Sequence, residues 1–115
     1  MPIVNRFAEF HQEVVGWRHE LHRHPEILFD VHRTAAFVEA RLKEFGVDEV
    51  VTGLGRTGVV GVIRGARGDG RTIGIRADMD ALPIEELTGA AYASTVPGKM
   101  HACGHDGHTA MLLSA

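Results

Sequence analysis

The hydrophobic period of this chain first changes at Gly46. Ahead of it, Ile3, Phe7, Phe10, Val14, Trp17 and Leu21 are spaced by fours and threes, which stacks them on one face of a helix. Pro25 stops that helix. Val31, Ala35, Val38, Leu42 and Phe45 form the inner stripe of a second helix, with Gly46 standing where a left-handed C-terminal cap belongs. Beyond Gly46 the pattern is that of strands. TGVVGVIRG (57–65) is short, β-branched and bounded by glycine, GARGDGRT is turn material, and RTIGIRA (71–77) reads as a second strand. Two strands joined through a glycine-rich turn predict an antiparallel hairpin.

The stretch that follows, DMDALPIEELTGAAYASTVPGK, is mostly irregular and carries the chain from a strand end to a histidine cluster. From Gly107 onward the sequence reads as a third helix, with Asp106 as its N-cap. That helix stops at MLLSA with no capping glycine and no closing turn, which points to truncation. The helix-helix-strand-strand-helix order therefore predicts an α/β class and, over residues 1–115, the first part of a larger domain.

A formal charge of −3 with scattered arginines excludes the concentrated basic surface that nucleic acid or an anionic membrane needs. MPIVNRFAEF lacks a basic lead followed by an apolar core, and no run has the length to span a bilayer, so the expected location is the cytoplasm. Cys103 is the sole cysteine and cannot form an internal disulfide, which leaves an apolar filler, a reactive thiol or a metal ligand.

GLGRTG (53–58) matches the G-x-G-x-x-G dinucleotide pattern, and Asp78 lies twenty residues after Gly58. The context fails, because VVGVI is a strand sequence where the fingerprint needs a helix start facing the pyrophosphate. A plain glycine turn is the reading. In LHRHPE (21–26), His22 and His24 stand at a helix end, where they cap or lie on the surface, since two residues two apart on a helix do not share a face. His11, His19 and His32 read as solvated.

DMDALP (78–83) is more pointed. Asp78 and Asp80 come just past a strand, and two acids two apart in extended chain point to one side, where they orient a ligand or bind a hard cation; turn-forming aspartates are the plainer alternative. In HACGHD, Cys103 and His105 are likewise two apart, so an extended loop aims both at one ion, and thiolate with imidazole suits zinc or a similar transition metal. The positive N-terminus of the next helix would lie nearby, and Asp106 and His108 are placed for outer hydrogen bonds. A Cys-His nucleophilic pair, a four-ligand structural zinc site and an ordinary buried cysteine remain as rivals.

The segments LHRHPE, TAAFVEARLKEFG, TGVVGVIRG, IRADMDALPIEE and TGAAYASTVPGKMHACGHDGHTAMLL, in that order, resemble the M20 metallopeptidase family. The branch is that of hippurate hydrolases, N-acyl-amino-acid amidohydrolases and auxin-conjugate hydrolases. RADMDALP and MHACGHDGHTAMLL are the most specific parts, and the matching segments cover nearly the whole chain. The resemblance implies an α/β/α metallohydrolase catalytic domain holding two divalent metal ions (zinc, manganese, cobalt or nickel), with a smaller inserted domain that often dimerises. By motif position Cys103 and His105 look like the first two metal ligands, and Asp80 matches the acid that steers a metal-binding side chain. Asp78 stands where many relatives have a histidine ligand, and its part is left open.

The implied reaction is metal-assisted hydrolysis of the amide bond of N-acyl amino acids. The family's glutamate base, its remaining ligands, the inserted dimerisation domain and the C-terminal part of the catalytic domain fall beyond Ala115. Glu85 and Glu86 have no such place in the motif. The isolated 115 residues are therefore expected to be inactive. The competing expectation is a non-catalytic remnant or small metal-binding module.

Overall fold

The computed structural model describes residues 5–68 and 70–115. Three helices open the chain: α1 (Asn5–Glu9), α2 (His11–Arg23) and α3 (His32–Phe45). They are followed by strands β1 (Glu49–Leu54) and β2 (Gly58–Val62), and by α4 (His105–Ser114). The predicted first helix is thus broken, with Phe10 at φ −108° and ψ 12° between α1 and α2; Ile3, its expected start, lies outside the described residues. Its end is as expected: α2 finishes at Arg23, two residues before Pro25.

The apolar stripes meet where their spacing directs them. Trp17 and Leu21 of α2 and Val38 of α3 are buried, and the Trp17 ring lies 5.6 Å from that of Phe45. α4 packs on α2 and buries Ala110, while α3 covers the two strands. Gly46 takes the left-handed conformation at φ 73°, and its N–H caps the carbonyls of Leu42 and Lys43.

The start of α3 is satisfied in a way the sequence does not announce. Val31 at the N-cap offers no side-chain bond, and the carboxylate of Glu26 reaches the open N–H groups instead. Oε2 accepts from Arg33 N at 3.0 Å, and Oε1 accepts from Thr34 N at 2.6 Å and Thr34 Oγ1 at 2.7 Å.

The hairpin differs from the predicted one. β1 pairs antiparallel with β2, from Glu49↔Val62 to Leu54↔Gly58, with an irregularity between Thr52 and Leu54. GLGRTG is indeed a turn, but it joins VVT to VV, and a short loop closes at less entropic cost than the longer one through GARGDGRT. Gly58 is obligatory in it, since a Cβ there would stand 2.5 Å from the Leu54 carbonyl oxygen. RTIGIRA, by contrast, forms no strand; Asp69 of the turn expected before it lies outside the described residues. A strand exists only where a neighbour pairs with it, and Ile73 and Ile75 are 84% and 72% exposed.

Past that stretch the chain is captured on both sides. Ala81 bridges Ile27 in parallel, donating its N–H to Glu26 O at 2.7 Å, and Leu82 exchanges two hydrogen bonds with Met100 at 2.9 and 3.0 Å. α4 begins at His105, two residues earlier than expected, after Gly104 at φ 87°. Among the described residues no helix is long and apolar enough to cross a membrane.

Candidate metal centre

The extended segment through Asp78 and Asp80 and the first turn of α4 face each other. Thr109 of α4 donates to the Asp78 backbone oxygen at 2.8 Å, which fixes the approach. His105 then meets both acids. Its Nδ1 lies 3.0 Å from Asp80 Oδ1 and 2.9 Å from the Asp80 carbonyl oxygen, and its Nε2 lies 3.4 Å from Asp78 Oδ2. His108, one turn along the same face, places Nδ1 2.8 Å from Asp78 Oδ1. One ligand atom from each of Asp78, His105 and His108 falls within 4.8 Å of the others, a grouping that could hold a metal ion.

The donor chemistry fits a divalent ion. Two imidazoles and a carboxylate suit zinc and its neighbours, and three protein ligands are the number that leaves a coordination position open. Asp80 decides the tautomer of His105, because two oxygen acceptors on Nδ1 put the proton there and the lone pair on Nε2, the nitrogen that faces Asp78. Hydrogen bonding from His108 holds the Asp78 carboxyl below its ordinary value, against the opposing effect of burial.

Cys103 is exposed and outside this grouping. The left-handed Gly104 that follows it interrupts the extended chain in which residues two apart point the same way. Asp106 does not cap α4. Its carboxylate, 1% exposed, turns to α2, where Oδ2 accepts from Arg18 Nε at 3.1 Å and lies 2.8 Å from His22 Nδ1.

His22 is therefore neither a cap nor a surface residue, since it is 4% exposed and its Nε2 lies 2.7 Å from Glu86 Oε1. His24 does bind the end of α2, through Nδ1 and the Glu20 carbonyl at 2.9 Å. His19 stacks on Tyr92 at 3.9 Å between ring centroids, while His11 and His32 are exposed. His101 is buried, and burial holds its pKa below the ordinary histidine value.

Residues 74–115 match peptidase family M20/M25/M40. The chain is 47% identical to the hippurate hydrolase of Campylobacter jejuni over 115 residues, which is 100% of this chain and 30% of that protein. The chain is similar to members of peptidase family M20. A second relative, the N-acyl-L-amino acid amidohydrolase of Geobacillus stearothermophilus, is 50% identical across 91% of this chain and 28% of its own length. The crystal structure of the Bacillus subtilis YXEP protein, a dinuclear metal binding peptidase from the M20 family, superimposes with a TM-score of 0.86 at 44% identity, covering 92% of this chain and 29% of that one. The chain thus spans about 30% of the length of the relatives it matches.

Proposed function

We propose that this chain is the N-terminal part of the catalytic domain of a metal-dependent amidohydrolase that cleaves the amide bond of N-acyl amino acids of the hippurate kind. The observation that carries the proposal is the convergence of Asp78, His105 and His108 on one point, with Asp80 turning His105 toward it. The names of the hydrolase relatives supply the substrate class.

In this reading His105 and Cys103 hold metal, with His108 contributing from the same face of α4 and Asp78 from the facing segment. Asp80 acts by accepting the Nδ1 proton and so directing Nε2. When bound, divalent metal supplies Lewis-acid polarisation of the scissile carbonyl and acidifies a water. The description of the YXEP protein as dinuclear supports two ions, drawn from zinc, manganese, cobalt or nickel. Residues beyond Ala115 supply the base, the remaining ligands and an inserted domain through which the protein forms homo-oligomers. A lone thiol suits the reducing cytoplasm, where we place the protein.

The test begins with the intact mass of the natural polypeptide, followed by hydrolysis of hippurate and N-acetyl amino acids with and without chelator. The expected result is a mass well above 12.5 kDa, chelator-sensitive hydrolysis by the natural protein, none by the 115-residue chain, and lower metal content in Cys103→Ala. A natural mass near 12.5 kDa, or a metal-loaded natural protein inert toward both substrates, overturns the reading.

A further inference from the structure

Two pairs of side chains cross between the Asp78 segment and α4. Asp80, on the segment, holds His105 of the helix, whose Nδ1 lies 2.9 Å from the Asp80 carbonyl oxygen and 3.0 Å from its Oδ1. A carbonyl oxygen only accepts, so in the neutral ring that ligates a metal the proton stands on Nδ1 and Nε2 is the coordinating nitrogen. His108, on the helix, in turn holds Asp78 of the segment, with Nδ1 2.8 Å from Oδ1. That leaves Asp78 Oδ2 as the oxygen facing His105, 3.4 Å from Nε2. Their spacing is the one a tetrahedral ion imposes, since bonds of about 2.0–2.1 Å at the tetrahedral angle set neighbouring ligand atoms about 3.3–3.4 Å apart.

His108 belongs to the same grouping as Asp78 and His105, yet its Nδ1 is already engaged with Asp78 at hydrogen-bond distance. We propose that His108 is a positioning residue rather than a ligand: it donates from Nδ1 to Asp78 Oδ1 and so aims Oδ2 at the ion that His105 Nε2 also meets. Each of these two ligand atoms is then held by a partner from the opposite element, His108 for Asp78 and Asp80 for His105. Outer hydrogen bonds of this kind fix the orientation in which a ligand meets its metal. Thr109 keeps the two elements in step, because its hydroxyl donates to the Asp78 backbone oxygen at 2.8 Å and stops the segment sliding past the helix. The ion this arrangement takes is of the zinc class, since imidazole nitrogen beside one carboxylate oxygen suits borderline transition metals better than calcium or magnesium. This inference rests on the metal-centre reading above and assigns His108 its part in it.

Two measurements on the natural protein test it. The 15N-labelled protein is loaded with cadmium-113, a spin-active substitute for zinc, and metal-to-nitrogen couplings identify the ring nitrogens bonded to the ion. A coupling is expected at His105 Nε2 and none at His108. Zinc affinity by titration calorimetry is then compared for the unsubstituted protein, His108→Ala and His108→Asn. His108 is exposed, so neither substitution disturbs the core. Alanine removes the donor, and affinity is expected to fall about tenfold, the lower end for loss of an outer partner. Asparagine sets an amide N–H2 near the place of Nδ1, where it donates to Asp78 without ligating, and is expected to recover most of that loss.

A cadmium coupling at His108 overturns the proposal, since the residue is then a ligand, and so does an affinity in His108→Asn as low as that in His108→Ala. Unchanged zinc affinity in His108→Ala overturns it from the other side. Each of these outcomes leaves the metal-centre reading standing, because the ion is still bound. A natural protein that takes up neither zinc nor cadmium, or one whose bound cadmium couples to neither histidine, overturns the metal-centre reading and the positioning role with it.

Discussion

Replacing Glu26 by alanine should destabilise the chain far more than its place in a surface turn suggests. Its carboxylate satisfies two open N–H groups of the first turn of α3 and the hydroxyl of Thr34, which is 2% exposed. An ordinary side-chain N-cap contributes about 1 kcal/mol. A charged acceptor raises each bond toward about 1.5–3 kcal/mol, and the helix dipole adds about 0.3–1 kcal/mol. Discounting the exposed Arg33 bond, the expected loss is about 2–3 kcal/mol, and at roughly 4 °C per kcal/mol for a chain of this size Tm falls by about 10 °C. Thermal and urea unfolding of the 115-residue chain, followed by circular dichroism, measure it. Glu26→Gln keeps the oxygen facing Thr34 but turns an amide N–H2 toward Arg33 N–H, so it should retain roughly half of the stabilisation. Because Ala81 binds the backbone carbonyl of Glu26, the approach of the Asp78 segment survives either change. A loss below about 0.5 kcal/mol for Glu26→Ala would refute the capping account, and full stability in Glu26→Gln would refute the role of charge.

Two further outcomes are expected. Asp80→Ala should weaken zinc binding by about tenfold rather than a hundredfold, because the Asp80 carbonyl still accepts from His105 Nδ1 and keeps the tautomer; calorimetric titration of the natural protein measures this. Glu86, held below its ordinary value of 4.5 in the folded chain, contributes stability that is present above that value and lost as pH falls through the folded one. The stability difference between the unsubstituted chain and Glu86→Gln should therefore narrow below pH 4.5 in urea unfolding at stepped pH, and a difference that stays constant or widens there counts against a stabilising Glu86 carboxylate.

What was legible in the sequence was local. Gly46 and Pro25 mark helix ends because their backbone constraints act at the residue itself, and Asp78 and Asp80 could be placed together because two-apart geometry holds wherever the chain is extended. The pairing of TGVVGVIRG was not legible, since either neighbouring run offers β-branched residues and only loop length separates them. His108 belonged on the site side for a similar reason. With the helix begun at Gly107, His105 is a loop residue; begun at His105, the two histidines are three apart on one face and their rings lie 5.5 Å apart. His22 gave no local signal, because its partners lie 64 and 84 residues away.

The first turn of α4 shows why these features depend on one another. A helix turns about 100° per residue, so His105 and His108 point one way and Asp106 another. The first two enter the candidate metal centre and the third enters the buried network with His22 and Arg18. Since all three stand on one rigid turn, moving Asp106 rotates His105 against Asp80 and His108 against Asp78. The buried network can thus set the geometry of a centre it does not touch. That coupling also gives a physical reason for acids and bases to be packed so densely between His101 and His108: the turn carries two networks on opposite faces, and each needs its own partners.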